Sequence, residues 1–156
     1  MIYTIKTKQF LRANIDTVWK FMSSPKNLAK ITPSYMGFHI LTDEEDIKTA
    51  YQGQIIEYKV SPVLGIKMHW VTEITHLVDK KYFVDEQRFG PYSFWHHQHF
   101  IKEVEGGVEM IDIVHYKLPF GILGRIANAL FVKKQLAEIF NYRYEKLEAL
   151  YNNKFK

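Results

Sequence analysis

The sequence predicts an α+β fold: one strand, two short helices, about six further strands and a single long C-terminal helix. Two patterns carry this. Apolar residues between Gly121 and Tyr151 recur at gaps of three and four, the period of an amphipathic helix. Between Met36 and Leu118 the chain instead runs in apolar-polar alternation, broken by Gly, Pro and acidic turns.

In order, Ile2 to Arg12 alternates with Tyr3, Ile5 and Thr7 on one face, and is a strand. Asn14 or Asp16 caps a short helix whose apolar patch is Val18, Trp19, Phe21 and Met22. Ser24 and Pro25 open a second, with Leu28 and Ile31 as its buried side, ended by Thr32-Pro33-Ser34. The middle strands are Met36 to Leu41, Thr49 to Val60, Ile66 to Leu77, Tyr82 to Phe89, Ser93 to Val104 and Val108 to Leu118. Ser61-Pro62 and Gly65, Asp79-Lys80, Gly90-Pro91 and Gly106-Gly107 separate them. Pro119 then marks the entry to the long helix. Its expected buried stripe is Ile122, Leu123, Ile126, Leu130, Leu136, Ile139, Phe140, Leu147 and Leu150. A helix of roughly 28 residues is about 42 Å long and needs a broad surface, the sheet, to lie on.

A chain of 156 residues is expected to form one domain over 1–156, burying about two thirds of its unfolded surface. With 47% hydrophobic and 15% aromatic residues, disorder is excluded. Ten Tyr, eleven Phe and three Trp suit an aromatic-lined cavity or a Phe-rich core equally. The absence of Cys excludes disulfides and thiol chemistry. No signal peptide and no run of about 18 apolar residues is present, so no integral membrane association and a cytoplasmic location are expected. A net charge of +4 without a basic cluster speaks against nucleic acid as a partner.

The last two strands carry the candidate site. Trp95, His97, His99 and Ile101 share one face, and Met110, Asp112, Val114 and Tyr116 share a face of the partner strand. A turn at Glu105-Gly106 sets Trp95 opposite Tyr116, His97 opposite Val114 and His99 opposite Asp112; a turn at Gly106-Gly107 shifts the pairing by two yet keeps the same two sets facing one way. Phe83, Asp85 and Gln87 join them from the preceding strand, Trp70 from the one before, and Phe140 and Arg143 from the helix. The opposite face, with Phe94, His96, Gln98 and Phe100 against Ile111, Ile113 and His115, is nearly as apolar, and the residues alone leave the choice of cavity face open.

The element order, together with Trp70–Ile74, Phe83-Val84-Asp85-Glu86-Gln87, Gly90-Pro91-Tyr92, Trp95-His96-His97-Gln98-His99, Asp112, Tyr116–Gly121, Gly124, Phe140 and Arg143, resembles the helix-grip proteins. These are the START-like or SRPBCC superfamily, with the Bet v 1 relatives and polyketide cyclases. The local motifs look like the bacterial ligand-binding SRPBCC domains, which occur alone or ahead of an epimerase-like domain. The resemblance implies a curved antiparallel sheet around the terminal helix, with a cavity between them. It also implies a small hydrophobic or amphipathic ligand and, as a further expectation, a partner protein of epimerase or dehydrogenase type.

The favoured function is ligand binding: Trp95, Tyr116, Met110 and Phe83 supply apolar walls, while the His and Asp groups orient a polar end. Arg143 is either an anchor for an acidic end or a side chain reaching a rim carboxylate. The alternative is a cyclase, dehydratase or isomerase with His99 or His97 as general base and Asp112 polarising it. Two His and one carboxylate are the ligand set of a non-haem iron or open zinc site, and His97 and His99 at i, i+2 can reach a metal from one strand. No cofactor and no metal are nonetheless expected, because the superfamily usually works without one and beyond Asp112 or Asp85 there is no independent third anchor. A third class is a ligand-free interaction module, with Trp95 and Tyr116 packing the cavity shut to below about 300 Å³. The plainest reading is that these His and Asp side chains only satisfy one another within a half-buried sheet. Gly121 to Gly124 lacks the Lys-Ser/Thr of a phosphate loop. Arg125, Lys133 and Lys134 form a solvated face, and Phe120, Ile122 and Leu123 are an exposed lip or core.

Overall fold

The computed structural model describes residues 1–63 and 65–153; the single-domain expectation over 1–156 extends beyond these at 64 and 154–156. Seven antiparallel strands form one curved sheet in the order β1-β7-β6-β5-β4-β3-β2. They are β1 (Tyr3–Leu11), β2 (His39–Ile40), β3 (Ile55–Val63), β4 (Ile66–Val78), β5 (Tyr82–Phe89), β6 (Phe94–Val104) and β7 (Gly107–Lys117). The long β4 carries two register shifts against β5, at Val71/Thr72 and Ile74/His76. Such bulges bend and twist a strand, which is how the sheet acquires its concave face.

Local chemistry explains the elements before the sheet. Asn14 caps α1 (Ile15–Met22), its side chain accepting from the Thr17 amide at 2.8 Å. Pro25 opens a 3-10 segment, Pro25–Ile31, where its missing N–H has no cost. A second 3-10 turn, Ser34–Met36, comes next. Two expected strands are shorter than their sequence pattern. Met36 to Leu41 reduces to the two residues of β2, because Gly37 turns left-handed at φ 54°. Thr49 to Gln54 is loop, held by the Gln54 side chain on the Asp46 carbonyl. β3 continues past Ser61, with a register shift between Val60 and Val63 that accommodates Pro62.

The hairpin of β6 and β7 has the register expected for a Glu105-Gly106 turn: Trp95 faces Tyr116, His97 faces Val114 and His99 faces Asp112. Gly106 adopts φ 79°, which the turn requires and a side chain resists.

The C-terminal helix lies against the concave face as α2 (Gly121–Ala127), a π segment (Asn128–Val132) and α3 (Lys133–Tyr151). Its buried stripe is Gly124, Asn128, Val132, Leu136, Phe140, Arg143 and Leu147. Steps of four residues drift by about 40° each on an ideal helix, and the extra residue of the π turn takes most of that drift back. The expected stripe holds from Leu136 to Leu147 but fails at both ends, with Leu150 exposed in the last turn. Ile122, Leu123 and Leu130 are 64, 71 and 73% exposed, and Phe120 and Ile126 are exposed too. Close approach decides this: a Cβ on Gly124 would collide with the Pro119 carbonyl oxygen, so glycine rather than an apolar side chain faces the sheet. Among the described residues no helix is long and apolar enough to cross a membrane.

Candidate functional site

Between the concave face, the helix and the 3-10 segments lies a cavity of about 180 Å³. β6 places Trp95, His97 and His99 on its wall, β5 adds Phe83 and Asp85, and β4 adds Trp70, Thr72 and Ile74. Leu136, Ile139, Phe140 and Arg143 close it from α3, while Asn27 and Leu28 stand half-buried on the 3-10 side. The concave face is thus the face with Trp95, His97 and His99, not that with His96 and Gln98.

Most of the wall is aromatic. Trp70 packs edge-on against Trp95 at 5.3 Å and stacks on Tyr58 at 6.0 Å; Tyr92 lies 4.9 Å from Trp95. Thr72 Oγ1 accepts from Trp70 Nε1 at 3.0 Å and shares a second bond with Tyr58 Oη at 3.0 Å. Three donor hydrogens meet two internal bonds there, so one hydroxyl hydrogen of Tyr58 or Thr72 remains for another acceptor. The Tyr92 hydroxyl is buried without a partner among the described residues. Burial, then the charge of Asp85, holds the Tyr58 phenol up; burial, then Tyr116, does so for Tyr92.

One end of the cavity is charged. Asp112, 2% exposed, sits beneath the lining residues, and its Oδ1 meets His99 Nδ1 at 2.8 Å, Arg143 Nη2 at 3.1 Å and His97 Nε2 at 3.3 Å. Asp85 Oδ2 lies 2.7 Å from His99 Nε2 and 3.4 Å from His97 Nδ1. His99 Nε2 is hydrogen-bonded to Asp85 Oδ2, while Nδ1 lies 2.8 Å from Asp112 Oδ1 and 3.2 Å from Arg143 Nη2, so two carboxylates flank the ring and favour its positive charge. Burial opposes that charge, but the two carboxylate bonds outweigh it and raise the His99 pKa. His97 goes the other way: burial and the neighbouring His99 charge push it down to about 4, leaving it neutral. Burial would raise Asp85 and Asp112, yet the facing cations keep Asp85 below and Asp112 well below the ordinary carboxyl value. The cluster then balances Arg143 and imidazolium His99 against two carboxylates. Such balance is what allows four charged groups to remain buried.

Phe83 covers the His99 ring at 4.1 Å, with 15° between the planes. His99 thus has no lone pair for a ligand. His97 does: with Nε2–H on Asp112, its Nδ1 lone pair is free.

Of the residues anticipated from the sequence, Trp70, Phe83, Asp85, Trp95, His97, His99, Phe140 and Arg143 line the cavity. Asp112, Met110, Tyr116 and Gln87 do not. Asp112 lies behind the histidines, and Met110 is buried sheet core. The Tyr116 hydroxyl donates to Asn128 Oδ1 at 2.9 Å, fastening β7 to the π segment. Gln87 holds both backbone groups of Tyr92, at 2.6 and 3.2 Å, and so shapes the β5–β6 connection. Thr72, Tyr58 and Tyr92 were not anticipated as site residues; the signals were alternation, Thr72 with Trp70 and Ile74 on β4 and Tyr58 with Ile56 and Val60 on β3.

No family model matches the chain, and no curated protein matches it in sequence. Solved structures do. Protein CV1439 from Chromobacterium violaceum is similar with a TM-score of 0.70 at 17% identity, covering 95% of this chain and 96% of that one. A START superfamily protein from Mycobacterium smegmatis is similar with a TM-score of 0.70 at 13% identity, over 96% and 97%. Major latex-like protein 151 from Panax ginseng is similar with a TM-score of 0.64 at 8% identity, over 97% and 98%. At these identities the likeness establishes the fold.

Proposed function

From the START-like, Bet v 1-like helix-grip fold and the cavity inside it, we propose that this protein binds a small, largely apolar molecule with a polar end. The supporting observation is a cavity walled by Trp70, Tyr92, Trp95, Phe83 and Phe140 whose charged end is Asp85, His97, His99 and Arg143. The free lone pairs at that end belong to Asp85 and His97, so they select a hydrogen-bond donor such as a hydroxyl. The buried Nε–H of Arg143 has no acceptor among the described residues, and a hydroxyl oxygen supplies one. A cavity of about 180 Å³ is below the usual span of about 300–1,000 Å³. An apolar cavity of about 150 Å³ nonetheless holds benzene, which sets the ligand at the scale of one ring.

The same volume supports a second reading, the ligand-free interaction module. The exposed apolar residues Phe120, Ile122, Leu123, Ile126 and Leu130 would be its docking face. The catalytic alternative falls to His97, whose Nδ1 is the free base at the charged end.

Native mass spectrometry against the denatured chain tests these readings, after incubation with single-ring phenols and short-chain alcohols. A stoichiometric adduct lost on denaturation supports binding. A bare chain mass throughout overturns it in favour of the interaction module.

A further inference from the structure

The charged end of the cavity also has the form of a metal site. We infer that Asp85, His97 and His99 bind a divalent transition metal of the zinc or iron(II) class, open to the cavity, with Asp112 as their shared outer carboxylate. The open position rests on the proposed cavity; the three ligands do not. By sequence, Asp112 and Asp85 are the only carboxylates offered for a third ligand, and no metal is expected. The pairing of β5 with β6 sets Asp85 opposite His97 and makes it that ligand.

The orientation of the two rings carries the inference. Asp112 Oδ1 takes His97 by Nε2 and His99 by Nδ1, at 3.3 and 2.8 Å, so the opposite nitrogens of the two rings turn toward one point. At that point stands Asp85 Oδ2, 3.4 Å from His97 Nδ1 and 2.7 Å from His99 Nε2. A carboxylate on the far nitrogen is how proteins fix the tautomer and aim of metal-binding imidazoles. One ligand atom from each of the three residues lies within 4.8 Å of the others.

The distances are close to those of a coordinated ion. Bonds of about 2.0–2.1 Å at the tetrahedral angle separate two ligand atoms by about 3.3 Å. The 3.4 Å pair already fits. The 2.7 Å pair is drawn together by the His99 Nε2 proton, and replacing that proton by a metal opens it by about 0.6 Å. The metal also resolves a local conflict, since the His97 Nδ1 lone pair now faces an anionic oxygen. Arg143 stands clear of the metal position: its Nη2 is 3.2 Å from His99 Nδ1, the nitrogen on the other side of the ring.

The fourth position faces the cavity and is open to an oxygen ligand. Two imidazoles and one carboxylate with an open position suit zinc or non-haem iron(II), and the chain has no Cys to offer a softer set.

The test uses the full chain stripped with chelator and loaded with cobalt(II), a coloured stand-in. Expected are one cobalt per chain and the visible bands of a low-coordinate ion, both lost in His97→Gln and Asp85→Asn. Asp112→Asn, which removes no ligand, should weaken binding 10- to 100-fold. His96→Gln, from the outer-face pair His96–Glu86, should change nothing. A long-range imidazole NMR spectrum of the wild type with zinc decides the matter even where a variant misfolds. His97 and His99 must shift together; shifts confined to His69 or His96, or no uptake at millimolar metal, overturn the site. Phenol adducts retained by the stripped protein would separate failure of the metal from failure of the cavity reading.

Discussion

Replacing Arg143 with Met in the metal-free protein tests whether the buried cluster is held by charge balance. The guanidinium lies 3.1 Å from Asp112 Oδ1, with both side chains almost wholly enclosed. Met fills much of the same space without charge, so the loss is electrostatic rather than a cavity. Two carboxylates would then face one imidazolium. Breaking a buried pair from one side costs about 3–5 kcal/mol, and the surviving His99 contact places this case near 3 kcal/mol. At a urea slope of about 2 kcal/mol/M, the unfolding midpoint should fall by about 1.5 M. Tryptophan fluorescence is a direct probe, since Trp70 and Trp95 line the site and Trp19 packs against Phe83. Asp112→Asn alone unbalances the cluster in the other direction and should also be costly. The double variant restores balance, leaving Asp85 opposite His99. Its destabilisation should be less than the sum of the singles by about 2 kcal/mol or more. An Arg143→Met cost below about 1 kcal/mol, or an additive double variant, would refute the charge-balance argument.

Stability of the stripped protein should peak near neutral pH in a urea series. His97 is held neutral down to about 4 against an ordinary 6.5, so stability falls as pH drops through that interval; His99, raised, contributes below 6.5 and is lost as pH rises through its folded value. A further loss below the ordinary carboxyl value of 3.8 comes from Asp85 and Asp112, and a flat profile would contradict the assigned charges. Gly124→Ala should destabilise by about 1–3 kcal/mol despite the better helix propensity of Ala, measured by thermal melting, because its Cβ meets the Pro119 carbonyl. Tyr116→Phe strands the buried Asn128 Oδ1 and should cost about 1–3 kcal/mol by the same assay, with no effect on cobalt uptake.

The sheet was legible because a strand period of two fixes everything once a turn is placed. Gly106 pins the β6–β7 hairpin, and it thereby sets the pairings of Trp95, His97 and His99 and the shared face they present. The helix was less legible, because its phase is set by two features without apolar signal. Gly124 faces the sheet through having no side chain, and a π turn at Asn128–Val132 rotates α3 relative to α2. Apolar periodicity therefore assigned Ile122, Leu123 and Leu130 to a core they do not enter. Phase also decides chemistry. Arg143 reaches Asp112 and His99 across 31 and 44 residues, and a 100° error in the helix would direct its guanidinium to solvent. Asp112 alone reads as the partner of one histidine. With Arg143 fixed it meets three nitrogens, those of Arg143 and His97 by hydrogen bonds and that of His99 at 2.8 Å, and the far nitrogens of the two rings, His97 Nδ1 and His99 Nε2, converge on Asp85. The candidate metal position is thus a property of the folded hairpin and helix together: the spacing of the two histidines suggests a metal, but only the fold chooses Asp85 over Asp112 as the third ligand.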